Sequence, residues 1–106
     1  MNELNTVLIE GTLKNNPKII TSKENVCELA ISNKRSSIGS DGSWKTTETV
    51  VPAMVFGPVA DACIKFVKKG RGIKIVGRIS TATYNNGKNH KFVVIAEHIE
   101  FKPEEK

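Results

Sequence analysis

The chain has 106 residues, 39% of them hydrophobic, which supplies one small core and therefore one domain. Its 16 Lys/Arg against 11 Asp/Glu give a net charge of +5 and a pI near 9.4, a balance that suits a polyanionic partner. No apolar run approaches the roughly 20 residues of a membrane span, and the N-terminus lacks the charged-then-apolar order of a signal peptide. The expectation is a soluble, cytoplasmic protein.

In chain order, residues 6–13 are β-branched and apolar and read as a strand that stops at the turn-forming Lys14-Asn15-Asn16-Pro17. Residues 18–22 predict a second short strand before a turn at Lys23-Glu24-Asn25. Cys27, Leu29 and Ile31 then alternate with Glu28, Ala30 and Ser32, the period-two signature of a half-buried strand. Residues 36–43 are Ser/Gly-rich without periodicity and predict a mobile, irregular loop, followed by Trp44. Residues 46–56 are extended again, with Val51, Ala53 and Val55 on one face and Val50, Pro52, Met54 and Phe56 on the other. Pro52 donates no ladder hydrogen bond, so this stretch is expected to be edge-like or kinked.

One helix is expected. Pro58 suits its first position and Gly70 its terminating left-handed position. Val59, Cys63, Phe66 and Val67 recur as one apolar stripe, and Lys68 and Lys69 fall in the last turn, where cations complement the helix dipole. Residues 72–83 predict a strand with Ile73, Ile75 and Ile79 inward and Lys74, Val76, Arg78, Ser80, Ala82 and Tyr84 outward. The segment Asn85-Asn86-Gly87-Lys88-Asn89 is a hairpin turn, and residues 91–101 close the sheet. With the two N-terminal pieces counted as one bent strand, the order is that of an all-β, five-stranded oligonucleotide-binding (OB-fold) barrel of Greek-key type. Its helix lies between the third and fourth strands. That domain occupies residues 1–101. Residues 102–106 form a short charged end, and residues 97–106 carry a net charge of −2 against +7 on the rest of the chain.

Catalytic chemistry is not indicated. The sequence has no Gly-rich phosphate loop, Ser/His/Asp constellation, paired acidic metal site or HxxxH spacing. Cys27 and Cys63 sit inside apolar patterns and read as reduced core residues. His90 and His98 have no ligand-spaced companions. No enzyme activity, cofactor or metal is expected.

The segments Asp41-Gly42-Ser43-Trp44, Phe56-Gly57 and Val59-Ala60-Asp61 follow one another in the order and spacing of the bacterial single-stranded DNA-binding protein family, which the chain resembles over essentially its whole length. The family pattern has a loop of the Asp-Gly-x-Trp type, a strand ending in aromatic-Gly, and a helix of the Leu-Ala-(Asp/Glu) type. The resemblance implies that the protein coats single-stranded DNA without strong sequence preference during replication, recombination and repair. It also implies a homotetramer, with a homodimer next, and leaves replication and repair proteins as further partners. Base stacking falls to Phe56, Tyr84 and Trp44, with Met54 beside them. Phosphate contact falls to Lys34, Arg35, Arg78, Lys88 and Lys91, with Lys45 as a further cation. The family often has an aromatic where Val50 stands and a polar residue where Pro52 stands, which implies fewer stacked bases per subunit. Its longer members carry a flexible tail with an acidic-hydrophobic tip, whereas this sequence stops at Glu104-Glu105-Lys106. The same surface would also serve a primosomal or RNA-binding barrel, and a protein-interaction adaptor is the reading from another class. The first strand is a plausible pairing edge between subunits.

Overall fold

The computed structural model describes residues 2–21, 25–84 and 87–103, with the backbone alone at Thr21 and Tyr84. Among these residues the elements are β1 (Val7–Leu13), β2 (Lys18–Thr21), β3 (Val26–Ile38), β4 (Trp44–Phe56), α1 (Pro58–Phe66), β5 (Gly72–Tyr84) and β6 (Asn89–Phe101). β1 pairs with β5 along Val7 to Thr12 and then crosses to β3 at Thr12 and Leu13, after which β2 continues along β3. β1 and β2 thus act as the two arms of one bent strand. The ring β1-β5-β6-β4-β3 closes into a five-stranded barrel, with β4 and β6 joined in parallel at Ala53↔Val94 and Met54↔Ile95. The expected architecture is the observed one.

The core follows from strand alternation. Leu29, Ile31, Ala53, Ile73 and Ile75 are at most 1% exposed and line the barrel together with Leu13, Cys27, Val55 and Val94. Each fully buried aliphatic side chain stabilises the fold by roughly 1.5–3 kcal/mol. Cys27 and Cys63 are both free and buried, as expected, and lie against each other across the β3–α1 contact. The hydrogen bond with Cys63 and burial both push the Cys27 thiol up, so it stays protonated.

Two glycines are dictated by close approach. A Cβ on Gly11 would lie 2.2 Å from the Ser32 carbonyl oxygen, and one on Gly77 would lie 2.0 Å from that of Ile95. Gly77 also marks a register shift in the β5–β6 ladder.

Four expectations need correction. The stretch of residues 36–43 is not a loop throughout: β3 continues to Ile38 and β4 begins at Trp44, leaving a five-residue tip. Ser36 and Thr46 hydroxyls bond at 2.9 Å across this arm, and the Asp41 carboxylate accepts from the Ser43 N–H and hydroxyl at 3.0 and 2.7 Å. Apolar alternation vanishes there because both faces of the arm are in solvent. The helix ends at Phe66, with Val67 extended, so Lys68 and Lys69 lie beyond its last turn and Gly70 does not terminate it. The buried line is Ala60, Cys63 and Val67, while Val59 and Phe66 are 48% and 74% exposed. Small Ala60 lets the helix approach the barrel more closely than Val59 would. Finally, Ile79 keeps the inward phase but is 47% exposed, because beyond Gly77 the β5–β6 hairpin runs past the barrel.

Other expectations hold. Pro58 opens α1, preceded by Gly57 at φ 78° and ψ −155°, a conformation that favours glycine. Asn25 Nδ2 donates to Asp61 in the first turn at 2.8 Å. From Trp44 through Pro52, β4 pairs with β3 alone, so Pro52 stands on an edge. The Lys23-Glu24 part of the first turn, Asn85-Asn86 of the hairpin turn and residues 104–106 lie outside the described residues. No described helix is long and apolar enough to cross a membrane.

Candidate nucleic-acid interface

Cross-strand register assigns every candidate side chain to a face. Residues paired across an antiparallel ladder share a face, and the face alternates with each residue. The pairs Glu28↔Met54, Ser32↔Val50, Lys34↔Glu48, Ser36↔Thr46 and Ile38↔Trp44 put one set on the outer face of β3–β4. Phe56, which ends β4 opposite Val26, belongs to the same set. The parallel pair Met54↔Ile95 and the antiparallel pair Arg78↔Ile95 carry that face across β6 onto β5. Arg78, Ile95, Met54 and Glu28 therefore form one row across four strands, and Lys34, Trp44, Met54, Phe56 and Arg78 share one surface.

Exposure suits these side chains to contact. Trp44 is 70% and Phe56 46% exposed, and Met54 is half-buried between them. Trp44 opens a strand rather than lying in a loop, so its position is fixed by the ladder pair with Ile38, itself 60% exposed. Sequence reasoning missed Ile38 because a lone isoleucine among serines and glycines carries no periodic signal. The exposed Val50 stands where the resemblance placed an aromatic, and it offers no ring.

The cations divide. Arg35 pairs with Thr47 and Lys45 with Ser37, which places both on the face opposite Lys34 and Trp44. Strand alternation prevents the adjacent Lys34 and Arg35 from serving one surface. Lys88 is exposed at the β5–β6 tip, far along the hairpin from Arg78. The Lys91 ammonium lies 3.1 Å from the Glu28 carboxylate, and Arg78 lies 3.9 Å from Glu97. The Tyr84 side chain lies outside the described residues; its backbone pairs with Asn89. Among the described residues no cluster of His, Cys, Asp or Glu could hold a metal ion.

The acidic groups on this face are neutralised in place. Glu48 accepts from Lys14 Nζ at 2.7 Å and from the buried Ser32 hydroxyl at 2.6 Å, and these bonds hold its carboxyl below the usual carboxylate range. Glu28 is matched by Lys91. A phosphate chain crossing the surface would meet few uncompensated carboxylates, an exposed indole and an exposed phenyl ring.

The sequence model of the single-strand binding protein family matches residues 4–102. The chain belongs to this family. It is 27% identical over 104 residues to single-stranded DNA-binding protein 1 of Clostridium acetobutylicum, covering 92% of this chain and 93% of that one. It is 28% identical over 87 residues to single-stranded DNA-binding protein 1 of Chlorobaculum tepidum, covering 80% of this chain but 54% of the relative. Among solved structures, a Plasmodium falciparum SSB in complex with ssDNA superposes with a TM-score of 0.79 at 18% identity, covering 97% of this chain and all of that one. A deletion mutant of the single-stranded DNA-binding protein from Thermus aquaticus gives a TM-score of 0.79 at 21% identity, over 94% of this chain and 51% of that one. The fold is thus that of these proteins. The chain spans about half the length of the Chlorobaculum and Thermus relatives.

Proposed function

We propose that the protein binds and coats single-stranded DNA without strong sequence preference, in the cytoplasm, during replication, recombination and repair. Family membership makes it a binding protein rather than an enzyme. The observation that carries the reading is the shared face of Trp44, Met54, Phe56, Lys34 and Arg78. Rings stack on any base at about 1–3 kcal/mol each, and cations track the phosphates, so such a surface binds without reading sequence. Lys88 and Tyr84 would extend it along the β5–β6 hairpin, while the charge of Lys91 offsets that of Glu28. Arg35, with Lys45, serves the reverse face of the β3–β4 arm.

The experiment is a titration followed by the fluorescence of Trp44, the one tryptophan, using oligo(dT), oligo(rU) and duplex DNA. Saturable quenching by oligo(dT), with weak response to duplex, is expected. Equal response to duplex would remove the stacking account, and preference for oligo(rU) would favour an RNA-binding role.

Assembly into a homotetramer, or failing that a homodimer, belongs to the same proposal. Along residues 7–11 the edge of β1 away from β5 has no strand partner among the described residues until β3 meets it at Thr12. Leu8 is 66% exposed there, and an apolar cavity of about 380 Å³ lined by Val7, Ile9, Val51, Ile79 and Phe92 opens nearby. An antiparallel partner β1 would satisfy this edge by two-fold symmetry.

A further inference from the structure

Between the end of α1 and the start of β5 lies an open groove of about 880 Å³, lined by Thr12, Phe66, Lys68, Lys69, Arg71 and Lys102 among others. Position in the last helical turn would have explained both lysines by the helix dipole. However, α1 stops at Phe66, Val67 is extended at φ −110° and ψ 136°, and the dipole effect fades within the last turn. Among the described residues neither Lys68 nor Lys69 has an ion-pair partner. Their backbone is braced. The Lys69 N–H donates to Asn16 Oδ1 at 2.8 Å, the Lys68 carbonyl accepts from the Arg71 N–H at 3.2 Å, and the Gly70 N–H donates to the Leu13 carbonyl at 2.8 Å. The neighbouring cations are already engaged: Lys102 holds Glu10 at 2.7 Å, and Arg71 donates to the Lys102 carbonyl while lying 5.5 Å over the Phe101 ring. Phe66, 74% exposed, contributes nothing to the core.

Two unpaired ammonium groups on a fixed loop beside a bare aromatic ring repeat, away from the main face, the combination that holds a single strand. We infer that this groove is a second anchoring point for the same bound strand, with Lys68 and Lys69 on phosphates and Phe66 under a base. The inference rests on the single-stranded DNA reading above. It makes the strand's path continue around the β1 end of the barrel rather than stop at the outer sheet.

The test compares wild type, Lys68→Ala/Lys69→Ala, Lys68→Arg/Lys69→Arg and Phe56→Ala on a long oligo(dT), reading the salt dependence and the number of nucleotides occluded per subunit. Each phosphate neutralised contributes about 0.7 to the log–log salt slope on a single strand. The double alanine variant should therefore lose about 1.4 of slope, occlude fewer nucleotides and melt as wild type does. The arginine variant should keep both the slope and the site size, and Phe56→Ala should weaken binding while keeping the slope. Unchanged slope and site size in the double alanine variant would overturn the inference. So would a poly-glutamate peptide that binds wild type but not that variant while the DNA slope stays, since the groove would then suit an acidic protein partner. Failure of wild type to bind oligo(dT) at all would instead sink the functional reading beneath it.

Discussion

Trp44 and Phe56 stand twelve residues apart on one strand and one face, near its two ends. Neither is buried, so their packing contribution is small and their contribution to binding is separable from it. Trp44→Ala and Phe56→Ala should each weaken oligo(dT) binding by roughly 1–3 kcal/mol, the value of one lost stack. Melting should barely move for Trp44→Ala, measured beside the affinity on the same samples. Ile31→Ala provides the contrast. Its fully buried side chain leaves a cavity and should cost about 2–5 kcal/mol of stability. Much of this division was legible in the sequence. Phe56 and Met54 are out of phase with Val51, Ala53 and Val55, and alternation alone placed them outside. The splitting of Lys34 from Arg35 was equally available from alternation, but the run Asn33-Lys34-Arg35 invites reading as a single basic patch.

At the scale of elements, the β5–β6 ladder turns on Gly77 and the β3–β4 arm on Glu48. Gly77→Ala would drive a Cβ into the Ile95 carbonyl oxygen at 2.0 Å, which backbone must move to relieve. Overpacking of this kind costs about 1–3 kcal/mol or more, so a clear drop in denaturation midpoint is expected. Glu48 joins β4 to Lys14 and to Ser32. Its folded pKa is lowered from the ordinary value of 4.5, so the stability it contributes is present above that value and lost as pH falls through the folded one. The melting difference between wild type and Glu48→Gln should accordingly be present near neutrality and shrink as pH drops below 4.5; a difference independent of pH would remove the ion pair from the account. Element boundaries were legible where one face is buried and illegible where neither is. The core strands and the break at Gly57-Pro58 could be read directly. The outer third of β3, the shortened helix and the exposure of Ile79 could not, because each depends on where the barrel ends rather than on the local pattern.

For the whole molecule the expected variable is assembly. If β1 is the pairing edge, Leu8→Glu should lower the solution mass by sedimentation or light scattering while leaving the monomer folded, because Leu8 is already 66% exposed. An unchanged mass would move the interface to another face. The architecture also separates two kinds of sequence freedom. Inside the ring, the buried aliphatics are fixed by one another's volume, and Gly11 and Gly77 by the carbonyl oxygens that a Cβ would strike. The β3–β4 arm from the pair Arg35↔Thr47 outward answers to no such constraint: its cross-strand pairs are exposed on both strands, held by the ladder and by the Asp41 turn. Substitutions there change what the surface grips with little effect on whether the chain folds. The arm is therefore the part of this molecule where affinity can drift under selection, or be rewritten by design, at almost no cost to its persistence.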